Sequence, residues 1–480
     1  MNQDALKKTR SILIATILSL IIISQAAATH FNYVVNEDEQ LLRKYSQSSS
    51  QEVYDLIIIT PYSFVRELRP LMFHKNKVGI KTKIVTLSEV YRHTYWQGRD
   101  KAEKIKYFIK NAYDNWGIKY VLLIGGIKKQ FSQEEQWWLP VRYSYLQERW
   151  TSMPGYWETR FISDLYFADI YNATGDFCSW DSDGDGVFGE WFNNNSAEDI
   201  LDLYPEVYVG RLPCRNSFEL RIVVKKIINY ESKGCDDSWF NNMVVVAGDT
   251  YPGDDEFEGE IITQRALDKM TGFNQIKLWT SNGNLTGPKD IMQSIKNGCG
   301  FLFLFAHGSP LSCSAHPPNE TTWIDCLNIF NVPLLFNNGK LPICVSGGCY
   351  TNQFNVTFSH TVNNPMAWFE CLGWHLTRKI GGGSIATLGN TGLALISDDK
   401  LDPGVGGGTG DLNIFVFEEY GQNGTDILGE LWGKAIRNYL LEHPILWNQN
   451  SYNDSAIDAK VVEQFVLIGD PSLKVGGYIN

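Results

Sequence analysis

Short, largely apolar runs of strand length recur along the chain and stop at glycine or small polar residues. They are Tyr54–Thr60 (YDLIIIT), Val121–Ile124 before Gly125-Gly126, Met243–Ala247 before Gly248, Phe301–Ala306 before His307-Gly308, and Leu341–Ser346 before Gly347-Gly348. A run apolar at every position is a strand buried on both faces. Between the runs lie segments of helical spacing, such as 101–115 (KAEKIKYFIKNAYDN), closed by Trp116-Gly117. This alternation predicts an α/β fold with mostly parallel sheets covered by helices on both faces.

The pattern falls into two halves. Residues 53–234 hold the first strand, a second around Thr82–Thr86, a third at Val121–Ile124, an irregular Trp- and Tyr-rich middle over 127–215, and a helix over 215–233. Residues 242–480 repeat the architecture with strands at Met243–Ala247, Ile276–Thr280, Phe301–Ala306, Leu341–Ser346 and Gly383–Leu388. Helices are expected over 257–271, 287–297, 364–378, 411–420 and 425–442, and Phe465–Val475 reads as a last strand and turn. The length of 480 residues suits two or three domains at roughly 100–200 residues each. Residues 29–52 are polar and Ser/Gln-rich, a leader to the first domain.

Lys7, Lys8 and Arg10 precede the apolar run Ile12–Ile23, and Ser24, Gln25 and Ala26 to Ala28 follow it. A basic head, a short apolar core and small residues describe a secretory signal peptide over 1–28, with an uncleaved N-terminal anchor as the other reading. Either way the rest of the chain is expected outside the cell. Seven N-x-S/T sequons, at Asn172, Asn194, Asn284, Asn319, Asn355, Asn423 and Asn453, agree with export. The formal charge of −12 and the lack of a basic patch exclude nucleic acid as the main partner.

Nine cysteines contain no C-x-x-C pair, so a zinc site of the usual spacing is not expected. In an oxidising compartment an odd number leaves at least one free thiol. His307-Gly308 and Gly347-Gly348-Cys349 follow two of the buried strands. In a parallel sheet both lie at the carboxyl edge, where open α/β folds bind ligands. A thiol beside an imidazole is a nucleophile with its base, and the Gly308 and Cys349 amides are natural oxyanion donors. Read singly, His307 also fits a satisfied polar residue and Cys349 half of a disulfide. Cys344 is the rival nucleophile, inside an apolar run, and His316 the rival base, in the polar loop SAHPPNE with no strand expected behind it.

These strings, Phe305–Ser309 with Trp323 downstream and Pro342–Cys349, resemble the gingipain family of cysteine peptidases. Asp202–Pro213 and Gly469-Asp470-Pro471-Ser472-Leu473 extend the likeness over about 53–475. The resemblance implies two caspase-like subdomains, the second one catalytic, peptide or protein substrates, and a dyad of His307 and Cys349. It also implies an acid orienting the histidine just after the first strand of the second half; Asp249 stands there and also fits a turn or N-cap. Gingipains select a basic P1 residue with an acid slightly further on. Asp254, Asp255, Glu256 and Glu258 lie there, Asp255 and Glu256 being the substrate-binding candidates, though acids at a helix start also complement its dipole. The sequence ends soon after Gly469-Asp470-Pro471, without the immunoglobulin-like and sorting domains that often follow.

Residues 181–190 (DSDGDGVFGE) set carboxylates at alternate positions around Gly186. Asp181, Asp183, Asp185 and Glu190 form a candidate structural Ca²⁺ loop, related to an EF-hand but with Phe192 where its bidentate Glu belongs. A solvated acidic turn is the alternative. Gly381–Gly383 and Gly406–Gly408 lack the residues of a phosphate loop, and 400–410 suits a substrate-side flap. The expected function is a secreted cysteine endopeptidase. An inactive calcium-dependent surface or binding protein of the same fold, and a transpeptidase using the same dyad, are the rivals.

Overall fold

The computed structural model describes residues 52–128, 135–149, 151, 158–253, 256–356, 370–396 and 407–478. The N-terminal segments over 1–28 and 29–51, the acids Asp254 and Asp255, most of the 400–410 loop and the first part of the 364–378 helix lie outside these residues.

The first half comprises β1 (Leu56–Thr60), α1 (Val65–Lys77), β2 (Thr82–Thr86), α2 (Leu87–His93), α3 (Lys101–Trp116), β3 (Tyr120–Ile124), the small pair β4 (Tyr143–Ser144) and β5 (Phe161–Ile162), β6 (Tyr208–Leu212) and α4 (Ser217–Lys233). The second half opens with α5 (Asp237–Phe240) and β7 (Asn242–Ala247), then α6 (Glu258–Lys269), β8 (Asn274–Trp279), α7 (Pro288–Asn297) and β9 (Phe301–Phe305). A three-stranded unit follows: β10 (His307–Gly308), β11 (Ser312–Ala315) and β12 (Ile324–Asn328). The chain then forms β13 (Ile343–Ser346), α8 (Leu372–Arg378), β14 (Ala386–Asn390), α9 (Thr409–Gly421), α10 (Leu428–Glu442), α11 (Asp454–Glu463) and β15 (Phe465–Ile468).

The two halves join in one ten-stranded sheet of order β2-β1-β3-β6-β15-β14-β13-β9-β7-β8. All neighbours are parallel except β14 and β15. The last strand therefore runs with the first half, pairing with β6, and the strands of the two halves point in opposite directions. Their carboxyl edges lie on opposite sides of the sheet.

Alternation along the strands buries both faces. Met243, Val245, Phe301, Phe303, Ile343 and Val345 join a large core with α6, α9 and α10. Val244, Val246, Leu302, Leu304 and Cys344 join a second core with α7, β11 and β12. Local chemistry sets the helix ends: Asn216 caps α4 by accepting from the Phe218 and Glu219 amides, and Gly117 ends α3 at φ 70°. The buried ammonium of Lys75 in α1 lies 2.8 Å from Glu231 of α4 and 2.9 Å from Asp470 after β15, which ties the chain end to the first half. No helix among the described residues is long and apolar enough to cross a membrane.

Candidate active site

Parallel register fixes the heights of the candidate residues. β9 and β13 pair directly, with Leu304 opposite Ser346, so His307 and Cys349 each stand three residues beyond a paired position. On the other side of β9, Ala247 of β7 is opposite Phe305, so Asp249 and His307 each stand two residues beyond theirs. Asp249, His307 and Cys349 thus leave three neighbouring strands at one edge. Contact between the strand ends is close. A Cβ on Gly308 would lie 2.5 Å from both N and O of Cys349, and one on Gly347 would lie 2.4 Å from the Phe305 ring. Only glycine fits at these two positions.

The His307 ring is partly buried, and its Nε2 lies 2.8 Å from the carbonyl oxygen of Thr250. A carbonyl only accepts, so Nε2 carries the proton and Nδ1 is left as the basic nitrogen. Burial is the largest influence on this imidazole and holds its pKa below the ordinary value, with the nearby His316 adding to the effect; the Thr250 carbonyl and Glu258 act in the opposite direction. Tyr251, His316 and Trp323 surround the ring, with centroids 6.3, 5.7 and 5.2 Å away.

Cys349 is half-buried, and it and the other eight cysteines are all free thiols. Its thiol donates to the Ala394 carbonyl at 3.5 Å. Burial is the largest influence on its pKa and raises it. With the thiol pushed up and the imidazole pushed down, the resting site holds a neutral pair. The residue after Cys349, Tyr350, sits at φ 59°, a left-handed conformation uncommon for a side chain of this size. Its amide donates to Gly392 at 2.9 Å, and its hydroxyl hydrogen-bonds Glu158. Glu158 also accepts from the Leu393 amide and pairs with the buried Lys460, which reaches Glu148 at 3.1 Å. A buried ionic network therefore backs the turn that presents the thiol.

The structure departs from the sequence reading at several points. The orienting contact on His307 comes from the Thr250 carbonyl and not from the Asp249 carboxylate. Asp249 is buried, its Oδ2 accepts from the Asn319 amide at 2.9 Å, and its Oδ1 accepts nothing among the described residues. An acid two residues beyond the strand points back into the 316–323 loop, and the next residue turns its carbonyl to the ring. His316 does have a strand behind it, β11, and its backbone pairs with that of Asp249. Its Nδ1 bonds the Thr322 carbonyl at 2.8 Å, so it flanks His307 rather than replacing it. Cys344 is wholly buried within β13, away from solvent. Of the acids at the start of α6, Glu256 is exposed, while Glu258 is buried. Glu258 Oε2 accepts from the Thr250 and Tyr251 amides and its Oε1 accepts nothing among the described residues. Thr250 and Ala394 act through backbone carbonyls, which no side-chain pattern marks.

The acidic loop lies in the first half. Carboxylate oxygens of Asp181, Asp183 and Asp185 come within 4.8 Å of one another. Asp181 also accepts from the Gly184 and Gly186 amides and pairs with Arg99 at 2.5 Å. Glu190 is 6% exposed, and burial, followed by Glu198, Asp185, Asp199 and Asp183, pushes its carboxyl up to about 7. Glu190 stands outside the group whose oxygens come together, which is Asp181, Asp183 and Asp185; three clustered carboxylates fit the donor set of a hard divalent cation. Asn355 is buried against Glu135 and Tyr143, so of the seven sequons it alone is inaccessible to a glycan in the folded chain.

Comparison with known proteins agrees with this arrangement. Gingipain R2 of Porphyromonas gingivalis is 20% identical over 317 residues, covering 65% of this chain and 34% of its own length. Gingipain R1 of the same organism is also 20% identical, over 25% of its length, so the chain spans about a third or less of these curated relatives. The crystal structure of the Arg-specific cysteine proteinase gingipain R superposes with a TM-score of 0.58 at 18% identity, covering 89% of this chain and 79% of that one. The complex of the P. gingivalis RgpB pro- and mature domains gives 0.56 at 18% identity, over 88% of this chain and 79% of that one. These likenesses establish the gingipain fold. The model of peptidase family C25 matches residues 49–476, and the chain belongs to that family.

Proposed function

We propose that this chain is an exported cysteine endopeptidase in which Cys349 is the nucleophile and His307 its general base. The observation that carries the reading is the paired register of β9 and β13, which sets the two residues at equal heights beyond neighbouring strands. The Cys349 Sγ bonds to the scissile carbonyl carbon while its proton passes to Nδ1 of His307. The oxyanion accepts from the Gly308 and Cys349 amides. As the C–N bond breaks, Nδ1–H protonates the leaving amine. Water, deprotonated by the same nitrogen, then cleaves the thioester and restores the thiol. The Thr250 carbonyl keeps the required tautomer throughout, and Asp249 is a positioning residue that braces the loop opposite.

The substrates are proteins or peptides. A basic P1 residue is the preference we assign, because the buried Glu258 beside His307 keeps one oxygen unpartnered and the related gingipain R is Arg-specific. Asp181, Asp183 and Asp185 would hold Ca²⁺, which stiffens the irregular middle of the first half and takes no part in bond cleavage. Export rests on the leader-type N-terminus and on the six sequons that are not buried.

Hydrolysis of an unfolded protein by the purified chain tests the assignment. Cys349→Ala is expected to reduce cleavage to background and Cys344→Ala to spare it, whereas undiminished cleavage by the Cys349 variant removes the nucleophile.

A further inference from the structure

The hairpin beyond His307 carries two cysteines that the proposed chemistry does not use. The register of β11 and β12 pairs Cys313 with Leu327 and then shifts, pairing Ser314 with Asp325. Cys326 is the extra residue of this bulge. Two residues of a bulged strand oppose one on its partner, so Cys326 and Leu327 both stand across from Cys313. Both cysteines are buried in the same apolar core, at 1% and 0% exposure, and the Cys313 thiol donates to the carbonyl of Leu327, the residue next to Cys326, at 3.7 Å. Between them lies the loop that carries His316, Asn319 and Trp323. Two of those rings pack against His307, and the Asn319 amide bonds Asp249.

We propose that Cys313 and Cys326 form a cross-strand disulfide that staples this loop beside the candidate active site. Both sulfurs are thiols in the structure, so the bond requires an acceptor disulfide of the glutathione or protein-oxidant class. One cysteine thiolate attacks the acceptor S–S bond and releases an acceptor thiol. The second thiolate then displaces the remaining acceptor sulfur. The products are one Cys313–Cys326 bond and two acceptor thiols, and two electrons have passed to the acceptor. The neighbouring Cys313 thiol, followed by burial, holds the Cys326 thiol protonated once the hairpin is packed. Exchange is therefore fastest before packing is complete, and the finished bond is shielded from reductants. The two other thiols of the same core, Cys299 and Cys344, are the rival partners.

Peptide mapping without reduction tests the proposal. The full chain is refolded from reduced denaturant in a glutathione redox buffer, quenched with acid, alkylated in denaturant and digested. The expected result is a peptide pair linked through Cys313 and Cys326, with Cys349 alkylated. Protein refolded in reductant instead is then expected to melt a few degrees below the oxidised sample, and a Cys313→Ala, Cys326→Ala variant to melt alike under both conditions. Recovery of both cysteines alkylated, or of either joined to Cys299 or Cys344, overturns the proposal. An equal response of wild type and variant to reductant also overturns it. The peptide map uses the unmodified sequence, so its outcome does not depend on whether the double variant folds.

Discussion

The two halves share an architecture and put their carboxyl edges to opposite uses. In the first half that edge is closed. Arg211 at the end of β6 is fully buried, pairs with Asp164 through two bonds of 2.7 Å and donates to the Gly125 carbonyl. The amides of Gly125 and Gly126 are taken by Leu212 and Cys214. In the second half the equivalent edge carries a neutral imidazole and thiol, and buried carboxylate oxygens of Asp249 and Glu258 that accept no hydrogen bond among the described residues. A parallel sheet supplies the same glycine-bounded ledge twice. An ion pair with satisfied amides makes one ledge a brace, and the other ledge carries the proposed catalytic pair.

Breaking the closed edge tests this contrast most severely. Arg211→Met leaves Asp164 buried without its partner and is expected to cost roughly 3–5 kcal/mol, read as a fall in denaturant midpoint or melting temperature. The same substitution is expected to leave the KM of whatever protein stays folded unchanged. At the open edge, Gly308→Ala forces a methyl to within 2.5 Å of the Cys349 backbone. A displacement of about 1 Å between reacting groups lowers kcat/KM by about 10²-fold, with little change in melting temperature.

Chelation probes the first half more gently. Removing Ca²⁺ held at tenfold excess over its Kd should withdraw about 1.4 kcal/mol. Asp183→Asn should abolish the response, measured as a melting shift with and without chelator. The smallest effect is on pH dependence. His307 must be neutral to act as a base, and its lowered pKa puts the acid limb of kcat/KM below the usual imidazole range. His316→Gln removes one of the influences that lower it. The His307 pKa then rises and the acid limb moves upward by a fraction of a pH unit; a downward move would contradict the assigned role of His316.

The buried strands and most amphipathic helices were legible because their patterns record burial directly. Elements with mixed signals were not. Helix α1 carries Pro70 in its interior, which reads as a break. Helix α11 contains Asp458, Lys460 and Glu463, residues that a sequence reading sends to solvent, yet all three are buried. Lys460 belongs to the network behind Tyr350, a partnership more than 300 residues apart in sequence that no local pattern encodes. The strands β10, β11 and β12 are too short and polar to announce themselves, so His316 read as a loop residue. At the site, His307 and Cys349 were visible from their strand-end positions. Thr250 and Ala394 were not, because a carbonyl has no residue signature. The segments Asp202–Pro213 and Gly469–Leu473 carried family likeness, and their buried Arg211 and Asp470 turn out to hold structural ion pairs.

Covalent capture by a substrate-shaped probe tests most directly whether the imidazole of His307 serves the sulfur of Cys349. A peptidyl acyloxymethyl ketone with arginine at P1 should place one equivalent on Cys349, located by mass spectrometry, and His307→Gln should slow labelling by at least about 10²-fold. Label on any other cysteine, or an unchanged rate in the His307 variant, would contradict the account.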